Sequence, residues 1–259
     1  MSAEMQPLAV VTGASSGLGR EFAKIAAVRG YRLLLIARNL HALETLSGTL
    51  RTESHLLPLD LTAPGAADQI TGWLADRGIV PEVFINNAGF GAFGPAVEMD
   101  EARVKKMIRL NVTALTTLSL RMLRHMKAAG RGHIMNVAST AAFQPCPYLG
   151  VYGATKAYVL SLTEALAEEA KGSGVTVTAL CPGPTRTNFG VNAGLKEDSP
   201  FDRYAADADK VALFGFNAME AGKVVAVHGG LNRLGAFAVR LVPRGAVRRI
   251  AASLIGRMK

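Results

Sequence analysis

Cysteine is scarce in this sequence, which argues against folds that are held together by disulfides or by zinc. The 259 residues include only two cysteines, Cys146 and Cys181, which lie far apart with no CxxC spacing. The sequence therefore predicts neither a disulfide framework nor a zinc site, and we interpret both cysteines as packing thiols. The five histidines are scattered and form no ligand pattern, so no metal site is expected.

Long apolar runs and a targeting segment are also absent. The longest candidate run, Leu33–Ala37, is far shorter than the ~20 residues that a membrane-spanning helix needs. Glu4 and the strand-like run Leu8–Val11 occupy the N-terminus, which leaves no room for the basic and apolar regions of a signal peptide. We therefore expect a cytoplasmic protein.

Acidic residues are missing from the last part of the chain. The formal net charge is +9, and no Asp or Glu follows Glu220. The basic residues of the last stretch are Arg233, Arg240, Arg244, Arg248, Arg249, Arg257 and Lys259. Because most of the excess positive charge belongs to this tail, no nucleic-acid partner is predicted.

Apolar residues are plentiful, at 49% of the chain. They form nearly continuous runs separated by segments long enough for crossover helices, which is typical of strands covered on both faces. The seven predicted strands are Leu8–Val11, Leu33–Ala37, Leu56–Leu59, Val83–Ile85, His133–Val137, Val175–Leu180 and Val224–Val227. This order predicts an α/β protein with a single doubly wound Rossmann fold, a seven-stranded parallel sheet with helices on both faces. With no linker or repeat, residues 1–230 are expected to form the Rossmann-type domain and 231–259 a basic C-terminal helical extension of it.

A glycine-rich turn follows the first predicted strand. Gly13, Gly17 and Gly19 precede the helical stretch Arg20–Val28, and this order of strand, turn and helix directs free N–H groups at a pyrophosphate. Gly13 permits the tight turn, Gly17 lets the chain approach the phosphate, and Gly19 allows close packing. An ordinary βα loop is the alternative, but the order of elements favours a dinucleotide-binding turn.

The glycines have GxxxGxG spacing, and further motifs follow the later predicted strands. These motifs are Asp60-Leu61, Asn86-Asn87-Ala88-Gly89, Asn111, Ser139, Tyr152-Gly153-Ala154-Thr155-Lys156, Pro182-Gly183 and Thr187. In their joint order the sequence resembles the short-chain dehydrogenase/reductase family over residues 8–229. The resemblance implies a homodimer or homotetramer and a nicotinamide cofactor. The cofactor-binding residues that we predict are Gly13, Ser15, Ser16, Gly17, Leu18, Gly19, Arg38, Asn39, Asp60, Leu61, Asn87, Ala88, Gly89, Tyr152, Lys156, Pro182, Gly183 and Thr187.

The second predicted strand ends in Ala37-Arg38. Many NAD-binding proteins have a carboxylate there for the ribose hydroxyls, whereas an arginine pairs with a 2′-phosphate. The sequence therefore favours NADP(H) over NAD(H), and Ser15, Ser16 and Asn39 are further candidate hydrogen-bonding partners of that phosphate. A solvated arginine at a strand end is the alternative.

Tyr152 and Lys156 are four residues apart in a segment that is predicted to be helical through Glu169, so both lie on one helix face. A nearby ammonium stabilises a phenolate and is expected to lower the pKa of the tyrosine, which suits it to acid–base chemistry. By resemblance, Ser139 binds the reacting oxygen, Asn111 holds a water in a proton relay, and Lys156 also binds the nicotinamide ribose. The alternative is a buried helix aromatic beside a surface lysine.

These residues predict an NADPH-dependent oxidoreductase that transfers hydride between the cofactor and a carbonyl or secondary alcohol, with Tyr152 as general acid or base. No Gly-x-Ser-x-Gly elbow with a downstream acid and histidine is present, which disfavours a hydrolase. Two alternatives stay open. One is a catalytically silent NADP(H)-binding sensor or scaffold, and the other is a membrane-surface protein that acts through its basic tail.

The residues beside the predicted catalytic strand ends are largely apolar and suit a hydrophobic carbonyl or alcohol substrate, although aromatics are also common in cores. They are Phe90, Phe93, Phe143, Pro145, Cys146, Tyr148 and Leu149. After Thr187, and before helical periodicity resumes near Asp209, we interpret the chain either as a lid or as an ordinary surface loop. This stretch includes Phe189, Gly190, Asn192, Gly194, Ser199, Pro200, Phe201 and Tyr204.

Apolar residues of the tail recur at three- and four-residue steps, a helical spacing that is broken at Pro243. They are Leu234, Phe237, Ala238, Leu241, Val247, Ile250, Ala251, Leu254, Ile255 and Met258. Two interpretations are open. The helices pack this stripe on the domain or on a sister subunit, or they lie on an anionic membrane surface.

Overall fold

A computed structural model describes residues 6–195 and 205–256. Its centre is a seven-stranded parallel sheet with the order β3-β2-β1-β4-β5-β6-β7. The strands are β1 (Leu8–Thr12), β2 (Arg32–Ala37), β3 (Ser54–Pro58), β4 (Val83–Asn86), β5 (Gly132–Val137), β6 (Val175–Cys181) and β7 (Val225–Val227). The order reverses between β1 and β4, which opens a crevice at the carboxyl ends of these strands. The predicted fold class is confirmed.

Helices cover both faces of the sheet. In chain order they are α1 (Gly17–Val28), α2 (Leu40–Ser47), α3 (Ala66–Ala75), α4 (Glu101–Ile108), α5 (Leu115–Ala129), α6 (Gly150–Glu169), α7 (Phe189–Ala193), α8 (Ala208–Glu220), α9 (Gly230–Ala238) and α10 (Arg244–Gly256). A π-helical turn over Arg109–Ala114 joins α4 to α5. Short 3₁₀ turns cover Ala96–Glu98 and Thr140–Ala142.

The residues of each central strand alternate between two cores. In β1, Ala9 and Val11 pack with α1, α2 and α8 on one face of the sheet. Leu8 and Val10 pack with α3, α5 and α6 on the other face. Because a strand that is covered on both sides needs apolar residues at every position, its sequence is a continuous apolar run.

Each observed strand differs from its predicted range by one or two residues at one end or at both, as is usual for element boundaries. The largest shift is in β3, which begins at Ser54 instead of Leu56. Ser54 and His55 pair with Leu33 and Leu34 of β2. Because β3 is the edge strand of the sheet, its half-exposed positions accept polar residues, and the apolar run underestimates its length.

The C-terminal helical extension consists of α9 and α10, with Pro243 between them. The final residues Arg257, Met258 and Lys259 lie outside the described part of the chain. Within residues 6–195 and 205–256, no helix combines the length and apolar character that crossing a bilayer requires.

Candidate active site

The glycine turn lies at the carboxyl end of β1 and leads directly into α1. Gly13 has a φ of 66°, a left-handed conformation that favours glycine. A Cβ on Gly19 would lie 2.1 Å from the carbonyl oxygen of Gly13, so only glycine lets the helix begin this close to the turn. The helix begins at Gly17, three residues before the predicted Arg20. The N–H groups of its first turn have no helical acceptors and are available to an anion.

Thr12 fixes the glycine turn against β4, and the sequence analysis missed it. Its hydroxyl accepts hydrogen bonds from the backbone N–H groups of Asn87 (2.9 Å) and Ala88 (3.0 Å), and it donates one to the carbonyl of Ile85 (3.3 Å). The Asn87 side chain donates to the Thr12 carbonyl at 2.9 Å. These bonds join the ends of the two strands at the crevice. In sequence, Thr12 is indistinguishable from an ordinary β-branched strand residue.

A small pocket of about 270 Å³ lies beside the glycine turn and is lined by Ser15, Arg38 and Asn39. The Asn39 side chain caps α2 by accepting a hydrogen bond from the N–H of Ala42 at 3.1 Å. Arg38 is exposed. Its guanidinium, together with the Ser15 hydroxyl, offers hydrogen-bond donors suited to a phosphate group.

Asp60 follows β3 and ties it to α4. Its carboxylate accepts hydrogen bonds from the backbone and hydroxyl of Thr62, at 2.9 and 2.7 Å, and from the ammonium of Lys106 at 3.0 Å. Burial raises the pKa of Asp60, but these hydrogen bonds outweigh it and lower the pKa to about 2. Asp60 is therefore ionised at neutral pH. Lys106 lines the cleft and was not among the predicted site residues.

Tyr152 lies on the first turn of α6 with a buried side chain. Its ring centroid is 5.2 Å from that of Phe189 on α7. Burial raises the pKa of Tyr152 to about 12; a hydrogen bond with Ser139 acts in the opposite direction, and the nearby Cys146 adds to the rise. The phenol is therefore protonated at neutral pH and is poised as a proton donor.

Lys156 is buried one turn after Tyr152, and the structure corrects one expectation about it. Its Nζ donates a hydrogen bond to the carbonyl of Val137 at 2.7 Å and lies 5.8 Å from the centroid of the Tyr152 ring. Burial lowers the pKa of Lys156 to about 8. The expected lowering of the Tyr152 pKa is wrong for this structure, because desolvation by burial is the largest cause of the pKa shift of both groups.

Asn111 lies in the π-helical turn and is fully buried. Its Oδ1 accepts a hydrogen bond from the N–H of Phe90 at 3.2 Å, and its Nδ2 donates to the Phe90 carbonyl at 2.9 Å and to the Thr155 hydroxyl at 3.1 Å. These bonds connect the loop after β4 to α6. A Cβ on Gly89 would lie 3.1 Å from Asn111 Oδ1 and 3.5 Å from Lys156 Nζ, so glycine at this position keeps the space beside both groups open.

A cleft of about 730 Å³ brings together most of the predicted site residues. Those that line it are Gly13, Ser15, Ser16, Gly17, Leu18, Arg38, Asp60, Leu61, Asn87, Ala88, Gly89, Ser139, Tyr152, Lys156, Pro182, Gly183 and Thr187. Gly19, Asn39 and Asn111 do not line this cleft. Its lining also includes residues that were not predicted from the sequence, among them Arg103, Lys106, Gln144, Asn188 and Leu195, and Ile255, which was predicted only as part of the tail stripe.

Only some of the apolar residues that were predicted to border the substrate line the cleft. Those that line it are Phe90, Cys146 and Leu149; those that do not are Phe93, Phe143, Pro145 and Tyr148. Phe143 packs on a core cluster of α6 and β6 residues, and Phe93 contacts Tyr148 with ring centroids 6.3 Å apart. Both cysteines are free and buried, which agrees with packing thiols, and Cys146 also borders the cleft.

The described part of the stretch after Thr187 lies over the cleft. Besides Phe189, its residues Asn188, Asn192 and Leu195 line the cleft. The N–H of Phe93 donates to the carbonyl of Ala193 at 2.8 Å, and the guanidinium of Arg103 donates to the carbonyl of Asn192 at 2.5 Å. Both bonds hold α7 against elements that follow β4. The other residues predicted for this stretch lie outside the described part of the chain, namely Ser199, Pro200, Phe201 and Tyr204.

The C-terminal helices border the same cleft. Ile255 of α10 lines it, and Val247 and Ala251, which precede it at four-residue steps, are buried. A Cβ on Gly183 would lie 2.4 Å from the amide nitrogen of Asn232. The first turn of α9 thus packs against the loop after β6, which also lines the cleft.

Comparison with known proteins gives one family and several relatives. The sequence profile of the family described as short chain dehydrogenase matches residues 7–201. An uncharacterized oxidoreductase of Staphylococcus epidermidis is 30% identical over 187 residues, which are 72% of this chain and 81% of the relative. A very-long-chain 3-oxoacyl-CoA reductase of Bos taurus is 31% identical over 182 residues, which are 67% of this chain and 58% of the relative.

Solved structures share the fold and hold nicotinamide cofactors. A short-chain dehydrogenase from Sphingobium yanoikuyae in complex with NADPH has a TM-score of 0.82 and 30% identity, covering 91% of this chain and 94% of the other. A short-chain dehydrogenase/reductase from Burkholderia phymatum in complex with NAD has a TM-score of 0.80 and 26% identity, covering 93% and 94%. Both forms of the cofactor therefore occur among similar structures.

Proposed function

Because this chain belongs to the short-chain dehydrogenase family of oxidoreductases, which act on C=O and CH–OH groups, we propose that it transfers hydride between NADP(H) and a hydrophobic carbonyl compound or secondary alcohol. The observation that carries this proposal is the buried Tyr152, which lines the cleft that begins at the glycine turn, together with Ser139 and Lys156, and has the Lys156 ammonium 5.8 Å from its ring. A scaffold without turnover has no need of a proton donor at this place.

The cleft fits a dinucleotide in the cradle that its glycines leave open. Side chains at Gly13 and Gly89 would occupy the space beside Asn87 and Asn111. The turn and the start of α1 would hold the pyrophosphate, and Lys156 would hold the nicotinamide ribose. When bound, the nicotinamide supplies or accepts the hydride.

The side chains of this protein transfer the proton and stabilise the negative charge of the phenolate. In reduction, Tyr152 donates its proton to the substrate oxygen, and the Ser139 hydroxyl donates a hydrogen bond to the same oxygen. The ammonium of Lys156, 5.8 Å from the ring, stabilises the phenolate that remains. In oxidation the same groups act in reverse. The water-holding role of Asn111 stays a prediction.

Arg38 carries the preference for NADP(H). It is exposed beside Ser15 and Asn39 in the small pocket next to the glycine turn, where a guanidinium pairs well with a 2′-phosphate. Solved relatives hold either NADPH or NAD. The preference therefore rests on this arginine and not on the fold.

The substrate is proposed to be apolar and sizeable. Phe90, Leu149 and Phe189 line the cleft and cluster with Tyr152, and Ile255 also lines it. These side chains favour an apolar molecule. A relative is named for reducing very-long-chain acyl substrates, which agrees with this class.

The same proposal includes a cytoplasmic location and a homodimer or homotetramer. It also divides the chain into a catalytic domain over residues 1–230 and an extension over 231–259.

A screen of hydrophobic aldehydes, ketones and secondary alcohols with NADPH and NADP tests the function, with the absorbance of the reduced nicotinamide as the readout. Tyr152→Phe is expected to lower turnover by about 10²–10⁴-fold, the usual contribution of a general acid, while cofactor affinity persists. Near-normal turnover in Tyr152→Phe would overturn the mechanism. Absence of turnover throughout the screen, with NADPH still bound, would favour the silent sensor.

A further inference from the structure

The helix α9 carries its apolar side chains on the outside of the molecule. Leu231, Leu234, Phe237 and Leu241, the last just beyond the helix end, are between 57% and 86% exposed. At 100° per residue the three helical positions, Leu231, Leu234 and Phe237, fall within one arc of the helix surface. The tail stripe predicted from the sequence is therefore divided. Val247 and Ala251 of α10 are buried, whereas Ile250 and Leu254 of α10 and the large apolar residues of the α9 part are exposed.

The opposite side of α9 faces the protein although it is less apolar. Asn232, Ala236 and Val239 on this side are half-buried, as is Ala238 within the apolar arc. The Asn232 side chain donates a hydrogen bond to the carbonyl of His228 at 2.8 Å. A helix that only completed the core would present its leucines inward. The orientation of α9 indicates a surface that binds something apolar.

The charged residues of α9 and α10 are all basic. Arg233 and Arg240 lie on α9 and at its end, beside the apolar arc, and Arg244, Arg248 and Arg249 follow on α10; all five are exposed. The sequence has no Asp or Glu after Glu220. A two-fold contact would set this surface against its own copy and bring arginines together, which is unfavourable. An anionic lipid surface buries the leucines at its acyl chains and attracts the arginines with its negative charge.

We propose that the C-terminal basic surface, formed by the outward face of α9 and the exposed arginines of α9 and α10, docks on an anionic lipid bilayer. The leucines and Phe237 enter the boundary between headgroups and acyl chains, and the arginines pair with lipid phosphates. Because Ile255 of α10 lines the cleft, docking brings the cleft close to an apolar phase. That consequence for substrate supply rests on the proposed function, whereas docking itself does not.

Co-sedimentation of the full chain with vesicles tests docking without using activity. The probes are vesicles of phosphatidylcholine alone and of an equal mixture of phosphatidylcholine and phosphatidylglycerol. Binding is expected only to the anionic vesicles and is expected to be lost when salt rises from about 0.1 M to about 1 M, where the screening length falls from about 10 to 3 Å.

Paired variants identify the residues that bind. Arg233→Gln with Arg240→Gln is expected to weaken binding by roughly 25-fold, about fivefold for each arginine near the surface. Leu234→Ser with Phe237→Ser is expected to weaken it roughly tenfold or more. Matched controls are Val28→Ser, at another strongly exposed apolar residue, and Arg51→Gln, at another exposed arginine; both should bind like the parent. Circular dichroism checks that every variant is folded.

Three results would overturn the proposal. The first is no binding of the folded parent to anionic vesicles, and the second is equal binding to neutral vesicles that salt does not change. The third is dissociation of an oligomer by Leu234→Ser with Phe237→Ser in sedimentation velocity, which would assign this face to a second copy of the chain. Loss of carbonyl turnover with normal vesicle binding would affect only the proposed function.

Discussion

At the scale of single residues, burial moves the two titrating groups of the cleft in opposite directions. The pKa of Tyr152 is raised to about 12 and that of Lys156 is lowered to about 8. In the neutral to mildly alkaline range, only the lysine of this pair changes its charge. Below pH 8 its ammonium stabilises a phenolate, and above pH 8 the neutral amine does not.

The rate of reduction is therefore expected to be constant well below pH 8 and to fall, about tenfold per pH unit, as pH rises through that value. The measurement is kcat against pH at saturating cofactor and substrate. Lys156→Arg, whose guanidinium stays protonated in this range, should turn over more slowly but without the inflection. An inflection at the same pH in Lys156→Arg would assign it to a different group.

Arg38 is the residue that we expect to distinguish NADPH from NADH. Arg38→Asp is expected to reduce the preference for NADPH over NADH by at least about tenfold, since a charge-assisted hydrogen bond contributes about 1.5–3 kcal/mol and this side chain is exposed. Dissociation constants of both cofactors measure the effect. Arg51→Gln, at an exposed arginine away from the cleft, serves as the control. Equal affinity of the parent protein for the two cofactors would reject the role of Arg38.

At the scale of elements, the close contact between the turn after β1 and α1 depends on Gly19, which has no side chain. A Cβ on Gly19 would lie 2.1 Å from the carbonyl of Gly13, whereas one on Gly72 in α3 would meet no atom within 4 Å. Gly19→Ala is expected to destabilise the fold by about 1–3 kcal/mol or more through overpacking and to weaken cofactor binding.

Gly72→Ala is the matched control, because it adds the same methyl group to a helix interior and should be neutral or stabilising by up to about 1 kcal/mol. Thermal unfolding of both variants, with and without NADPH, makes the comparison. The tight approach of α1 to the turn is refuted if Gly19→Ala melts like the parent and binds NADPH as well.

Elements differ in how far their sequences determine them. The buried strands were predictable because continuous apolar runs are what a doubly covered sheet requires. The π-helical turn was not, since it accompanies hydrogen bonds between Asn111 and Phe90 that form only after folding. The GxxxGxG and Tyr-x-x-x-Lys motifs indicated the site, but Ile255 reaches the cleft by tertiary packing alone. The pKa of Tyr152 likewise depends on burial, which spacing along a helix does not report.

At the scale of the whole molecule, exposed apolar residues on the helices between β4 and β6 predict self-association. Ile108, Leu120 and Tyr158 are each at least 40% exposed, and Tyr158 shares a hydrogen bond of 2.9 Å with Thr116 across α5 and α6. Sedimentation velocity is expected to give two or four times the chain mass of 27.3 kDa.

Leu120→Lys should shift that mass toward the single chain, because a charge in an apolar interface is costly. Leu213→Lys, on α8 at nearly the same exposure, should leave it unchanged. A single-chain mass for the unmodified protein would contradict the prediction, and dissociation by Leu213→Lys but not by Leu120→Lys would place the interface on the other face of the sheet.

The strand order also determines when each edge of β1 can pair while the chain is being synthesised. β1 pairs with β2 on one side and with β4 on the other, so the first strand to leave the ribosome waits for a partner that lies beyond three crossover helices. At roughly 5–20 residues per second, one edge of β1 stays open for several seconds. An open apolar edge is a template for pairing with another chain. Slower production at lower protein concentration should therefore raise the yield of folded protein, because the alternative to β4 at that edge is a neighbouring nascent chain.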